Sequence, residues 1–212
     1  MNKQRGKFIV ICGMNNLGKT TVIDGLMEYL KKKAENAVFF KYPIYDLEPT
    51  GPRINKYLRG GNPEGLTSDT VQEIYVQNRK DFEPQLISML EQGKLIIAED
   101  YVGTGIVWGM LGGASLERME KLNKGLKETD LTILLDGERF LTGIESGHTH
   151  ESAMELWGRG RQIHLDLAAK YGWKIVNANQ TREQVLKDVV KVVDNYRQNI
   201  TNDKINPIYS NI

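Results

Sequence analysis

The chain has 212 residues, room for one sizeable α/β domain with a buried core. Hydrophobic residues make up 40% and charged residues 26%, and 28 basic against 27 acidic residues leave a net charge of +1. That balance speaks against a surface that captures nucleic acid or membrane by bulk electrostatics, so any phosphate binding has to come from a few placed groups.

The predicted elements run in chain order as follows. Lys7–Cys12 is an apolar run that reads as a buried strand. It carries the single cysteine, Cys12, which reads as a small core residue. A disulfide within the chain is excluded, and a reducing, cytoplasmic location is expected. The polar start is followed by an apolar stretch too short for a signal sequence, and no apolar run approaches the ~20 residues of a membrane span. Lys19–Lys33 is a helix with Val22, Ile23, Leu26, Met27 and Leu30 on one face. Ala37–Tyr42 is a second strand. Asp46–Leu66, rich in Gly and Pro, is expected to be mobile. Ser68–Gln92 is a long helix that Ser68 can cap and Pro84 can kink. Lys94–Ala98, Leu131–Leu135 and Lys174–Val176 are three further strands, Ile144–Ser152 is a second mobile stretch, and Arg182–Arg197 is a closing helix followed by an irregular polar tail. Five strands separated by helices predict an α/β fold with a five-stranded parallel sheet flanked by helices on both faces. No repeat or linker divides the chain, and residues 1–212 read as a single domain.

The strongest motif is Gly13-Met14-Asn15-Asn16-Leu17-Gly18-Lys19-Thr20, which satisfies G-x-x-x-x-G-K-[ST] between a buried strand and a helix. Glycines let the chain curl so that consecutive backbone N–H groups converge on phosphate oxygens, and the helix start adds its positive dipole end. In such a cradle Lys19 reaches the β- and γ-phosphates of ATP, Thr20 ligates Mg²⁺, and the loop through Thr21 surrounds the triphosphate. Leu95-Ile96-Ile97-Ala98-Glu99-Asp100 is an apolar strand ending in two carboxylates, and Glu99 there can serve the metal through water and orient the attacking oxygen. His148 and His150 with Glu145 or Glu151 are weighed as a separate metal site and read as exposed side chains. The tryptophans Trp108, Trp157 and Trp173 read as packing, with Trp108 near the presumed acceptor pocket.

Two broad functions use such a cradle, a GTP-dependent switch and a small-molecule kinase. Asp100-Tyr101-Val102-Gly103 matches the D-x-x-G of a switch, but the nearest approach to N-K-x-D is Asn123-Lys124-Gly125-Leu126, which lacks the acid that pairs with guanine. The long helix and mobile segment between cradle and acidic strand leave room for a second substrate, and the kinase is expected ahead of a switch or a non-catalytic nucleotide-binding module.

Further residues resemble the thymidylate kinase family. Lys41-Tyr42-Pro43 is similar to its F-P segment, Gly51-Pro52-Arg53-Ile54-Asn55-Lys56-Tyr57-Leu58 to its G-x-x-I-x-x-Y-L stretch, and Tyr75-Val76-Gln77-Asn78-Arg79 to its F-x-x-x-R. The resemblance implies ATP-dependent transfer to a deoxynucleotide, most directly dTMP, with Mg²⁺ as cofactor, small-molecule nucleotides as partners, and a homodimer. It implies an acceptor region at about 41–82, with Tyr75 stacking on the base and Arg79 on base or phosphate, and with Asn15, Tyr42, Pro43, Arg53, Asp100, Tyr101 and Thr104 around the acceptor. Asp130–Asp136 resembles the strand before the family's lid, a region at about 138–160 from which Arg159 and Arg161 reach the phosphoryl group. Asn177-Ala178-Asn179 resembles its D-A-S turn, which puts Ala178 and Asn179 near adenine. Several positions depart from the pattern. The family's D-R-Y is Glu99-Asp100-Tyr101, the arginine after F-P is replaced by Ile44 and Tyr45, and the acid at the third cradle position is Asn15. Arg53, Arg79 or Lys41 are the cations left to replace the missing contacts. A second acceptor class stays open at this point: a deoxynucleoside, with Glu99 as base toward its 5′-hydroxyl.

Overall fold

The computed structural model describes residues 5–138 and 149–205. Five strands form one parallel sheet: β1 (Lys7–Cys12), β2 (Ala37–Lys41), β3 (Leu95–Glu99), β4 (Leu131–Asp136) and β5 (Lys174–Asn177). Their order across the sheet is β2-β3-β1-β4-β5. The helices are α1 (Lys19–Lys32), α2 (Thr50–Arg59), α3 (Ser68–Glu91), α4 (Val102–Leu111), α5 (Leu116–Asn123), α6 (Thr149–Tyr171) and α7 (Arg182–Ile205).

The central strand explains the layering. β1 alternates Phe8, Val10 and Cys12 toward one face with Ile9 and Ile11 toward the other, and all five are at most 3% exposed. Ile9 and Ile11 join Leu26 of α1 and Val189 and Val193 of α7 in one core. Phe8, Val10 and Cys12 join Phe82, Leu86 and Leu90 of α3 and Ala168 of α6 in the other. Burying each large aliphatic or aromatic side chain contributes roughly 1.5–3 kcal/mol, so both layers hold the sheet from opposite sides. Burial also pushes the Cys12 thiol well above its ordinary pKa, in line with a core residue.

Several sequence expectations need correction. The segment 46–66, expected to be mobile, contains α2, whose Ile54 is 1% exposed. The cap of α3 is Thr67, extended at φ −73° and ψ 159°, whose hydroxyl accepts from the Thr70 N–H; Ser68 is already helical. Pro84 lies inside this 24-residue helix, as expected. Helix α7 extends to Ile205, past the expected end at Arg197. The expected mobile stretch 144–152 and the histidine pair within it lie largely outside the described residues. Among the described residues no helix is long and apolar enough to cross a membrane.

The chain leaves β1 for β2 at one edge and returns to β3 beside β1, and β4 then adds on the other side. The carboxyl ends of β1, β3 and β4 therefore border the crevice where a doubly wound sheet binds ligands.

Candidate active site

The cradle follows directly from β1. Gly13 has φ +145°, and a Cβ there would lie 2.5 Å from the Leu135 carbonyl oxygen, so β4 leaves no room for a side chain. Asn16 at φ +65° and Gly18 at φ +77° complete the curl before α1 begins at Lys19. Met14 and Leu17 are buried in the core and anchor the loop from below. The Lys19 ammonium folds back over it, donating to the carbonyls of Gly13 at 2.9 Å and Met14 at 3.1 Å. Helix α6 packs across the top, where Gly160 lies against the Met14 sulfur and the Trp157 indole donates to the Asn15 carbonyl at 3.4 Å.

A cavity of about 560 Å³ opens over this loop, lined by Met14, Asn15, Asn16, Gly18, Lys19, Thr20 and Thr21 from the motif. Two walls were not foreseen. Trp157 and Leu156 of α6 line it, so Trp157 is a cavity residue and not only packing. Within the expected ATP set, Gly13 lies against Leu135, Leu17 and Ala178 are buried in the core, and none of the three lines this cavity. Asn179 bonds through its side chain to both backbone groups of Glu138, holding the turn after β4.

The acidic strand end lies where the sequence predicts. Glu99, 3% exposed, accepts the Thr20 hydroxyl on Oε2 at 2.9 Å and pairs through Oε1 with the Lys41 ammonium at 2.8 Å. Lys41 is the last residue of β2 and sits in register with Glu99. Burial lowers the affinity of the Lys41 amine for its proton, but the bond to Glu99 and the charges of Glu99 and Asp100 outweigh it and hold its pKa above the ordinary value. Asp100 adopts φ +61°, donates its N–H to the Ile11 carbonyl, accepts the Thr104 hydroxyl at 2.8 Å, and lies 4.0 Å from Lys19. Burial pushes its pKa up, while Lys19 and Thr104 pull the other way.

A second cavity of about 620 Å³ adjoins the first and runs along α3. Of the residues expected around the acceptor, Asn15, Tyr42, Pro43, Tyr75, Arg79, Asp100, Tyr101 and Thr104 line it. Arg79 is 5% exposed; its Nη1 donates to Asn123 Oδ1 at 3.1 Å, and its Nε has no partner. Burial lowers its pKa, and the neighbouring tyrosines and Asp100 oppose that shift. Gly105 makes room for it, since a Cβ there would lie 2.4 Å from Nη2. Gln72, one helical turn before Tyr75, is also 5% exposed with its Oε1 unpartnered, and the Tyr42 and Tyr101 hydroxyls are in the same condition. Buried polar atoms left open around one cavity are the atoms a polar ligand satisfies. Asn78, fully buried, exchanges two bonds with the backbone of Ile44 and so ties the Tyr42-Pro43 segment to α3. Sequence reading passed over Gln72 and Asn78, although 72, 75 and 79 share the spacing of one helix face.

Other expected residues lie elsewhere. Arg53 pairs with Glu64 at 2.8 Å and lines neither cavity. Arg161 forks onto Asp136, with bonds of 2.7 and 2.9 Å, and Arg159 is exposed on α6; neither lines either of these two cavities. Asn123, the start of the partial N-K match, supports Arg79 on the acceptor side. Two of these arginines thus serve ion pairs within the protein.

The geometry agrees with what the chain is similar to. The family model described as thymidylate kinase matches residues 11–189. A thymidylate kinase of Ligilactobacillus salivarius is 26% identical over 211 residues, covering 90% of this chain and 99% of that protein. One from Danio rerio is 26% identical over 200 residues, covering 92% and 93%. The solved structure of thymidylate kinase from Candida albicans superimposes with a TM-score of 0.76 at 22% identity, over 91% of this chain and 93% of that one, a likeness of fold. With the cradle, the acidic strand end and the tyrosine–arginine helix in one crevice, and the family model spanning most of its length, the chain belongs to the thymidylate kinase family.

Proposed function

We propose that this chain transfers the γ-phosphoryl group of ATP to the 5′-phosphate of dTMP, giving dTDP. The observation that carries the reading is the meeting of two cavities. A triphosphate cradle forms one, an aromatic ring with a buried guanidinium forms the other, and Asn15, Lys41, Glu99, Trp108 and Leu156 line both. The relatives that match nearly full length carry the name thymidylate kinase, which favours the monophosphate acceptor over the free nucleoside.

The roles follow from position. Cradle amides and Lys19 hold the β- and γ-phosphates and offset the charge that develops on the moving group. Tyr75 stacks on the pyrimidine, and the unpartnered Gln72 Oε1 and Arg79 Nε meet its polar edge. A phosphate oxygen is already ionised, so the acceptor needs alignment more than a base. Glu99 is engaged by Thr20 and Lys41, an arrangement suited to positioning. Trp108, Leu156 and Trp157 keep the path between the cavities partly apolar, which limits hydrolysis of ATP by water.

The Thr20 hydroxyl and the Glu99 carboxylate, 2.9 Å apart at the mouth of the cradle, are hard oxygen donors of the kind Mg²⁺ accepts. Bound there, the ion would neutralise charge on the β- and γ-phosphates. Among the described residues no group of three or more His, Cys, Asp or Glu side chains converges, consistent with an ion held mainly by water and substrate. Incubation with ATP and either dTMP or thymidine, with products resolved by chromatography, tests the proposal. Formation of dTDP is expected; phosphorylation of thymidine with dTMP inert would overturn it.

A further inference from the structure

The transferred group has to cross where the two cavities join, and the acceptor's phosphate has to sit there beside the end of a triphosphate. Two anions brought that close require a cation between them. Five residues line both cavities, namely Asn15, Lys41, Glu99, Trp108 and Leu156, and Lys41 alone among them is cationic. Among the described residues, the other positive groups nearby are committed elsewhere. Lys19 is bound to the cradle carbonyls on the donor side. Arg79 lines the acceptor cavity but not the donor one, bonded to Asn123 and with its Nε left for the base. Arg53 is paired with Glu64 and lines neither cavity. Asp100, on the acceptor side of the junction, is a carboxylate that already takes the Thr104 hydroxyl, and it cannot hold an anion.

We propose that Lys41 is the residue that captures the acceptor's 5′-phosphate, at the end of β2 and on the far side of Glu99 from Thr20. The inference rests on the monophosphate acceptor of the preceding section and adds the group that recognises its charge. The position suits the role. β2 and β3 in register fix the Lys41 backbone beside Glu99, so the stem starts at the junction. Its side chain is 48% exposed, which leaves the ammonium free to swing. An ammonium has three donors, so Lys41 can keep Glu99 on one and offer the others to phosphate oxygens. Glu99 then acts as a rest for the cation while the acceptor is absent, holding it where the phosphate arrives.

A purely structural role for Lys41, neutralising Glu99, predicts something different. If the ammonium only steadies the carboxylate, its loss affects acceptors with and without a phosphate alike. The test is therefore the binding of dTMP and of thymidine to the full chain, by calorimetry without ATP, in wild type, Lys41→Met and Lys41→Arg. Removing one charge-assisted contact is expected to raise the Kd of dTMP by roughly ten- to a hundredfold. Thymidine affinity should stay within about twofold, since it carries no group for Lys41 to hold. Lys41→Arg should recover most of the dTMP affinity, because a guanidinium keeps the charge and the donors. Unfolding midpoints of the variants, whose substitution lies at an exposed position, check that each is folded. Equal losses for dTMP and thymidine, or unchanged dTMP affinity in Lys41→Met, would overturn the assignment. Wild type that binds thymidine but not dTMP would instead overturn the acceptor class, and the two failures are told apart in one set of titrations.

Discussion

Replacing Arg79 by Met separates a binding arginine from a structural one. The guanidinium is 5% exposed, has one side-chain bond at 3.1 Å to Asn123, and has an unpartnered Nε. Removing the Arg79 charge relieves the cost of keeping an ion out of water, an effect seen when buried ion pairs are replaced by apolar side chains of similar volume, which is neutral or stabilising by about 1–4 kcal/mol. Stranding the Asn123 oxygen costs about 1–3 kcal/mol, so the two nearly cancel. The unliganded variant is expected to unfold within about 4 °C of wild type, using roughly 2–4 °C per kcal/mol for a chain of this size. Ligand reverses the comparison. At dTMP about a hundredfold above its Kd, wild type gains about 2.7 kcal/mol, or roughly 5–11 °C. A variant binding about thirtyfold more weakly gains less than about 1 kcal/mol at the same concentration. Thermal unfolding with and without dTMP reads both numbers. A fall of more than about 10 °C without ligand, or equal ligand-induced shifts, would show that Arg79 holds the fold and not the acceptor.

Three further outcomes are expected. Tyr75→Ala should raise the KM for dTMP by roughly ten- to a hundredfold while leaving that for ATP nearly unchanged, since base stacking contributes about 1–3 kcal/mol; steady-state kinetics with each substrate varied would read it. Gly13→Ala places a methyl group 2.5 Å from the Leu135 carbonyl oxygen in a backbone at φ +145°, and calorimetry should show loss of ATP binding together with a lower unfolding midpoint. His164, 1% exposed, bonds through Nδ1 to the Gly160 carbonyl, has an unpartnered Nε2, and has its pKa lowered to about 4 by burial. Its folded pKa lies below the unfolded value of about 6.5, so the stability it contributes is full above that value and is lost as pH falls toward 4. The loss between pH 7 and pH 4 comes to about 3 kcal/mol, and denaturant unfolding of His164→Leu across that range should lack this component.

The parts of the fold that were legible in the sequence are those with a local cause. A buried apolar run, a glycine loop and an amphipathic helix define β1, the cradle and α1 without reference to the rest of the chain, and the strand ending in Glu99 and Asp100 carries its own signal. The tyrosine and arginine of α3 were legible through their resemblance to F-x-x-x-R, a spacing that puts both on one face. What was not legible depends on contacts between distant segments. Nothing local marks Arg161 as the partner of Asp136. Trp157 lines the donor cavity because α6 crosses the cradle, a docking that helical periodicity does not encode. Helix α2 was hidden by the glycines and prolines in and around it, yet its Ile54 is buried and Asn78 of α3 bonds to its Thr50 hydroxyl. The replacement of an arginine by Asp100 was visible as a loss; the compensating position of Lys41 needed the register of β2 on β3.

The central claim is that one continuous path joins a triphosphate site to a nucleotide site. Adenosine and thymidine linked through a pentaphosphate span both, and titration of the wild-type chain with this compound tests the path directly. The account predicts one molecule bound per chain, more tightly than either ATP or dTMP, and displaced by each of them. Displacement by ATP alone, with dTMP without effect, would contradict it.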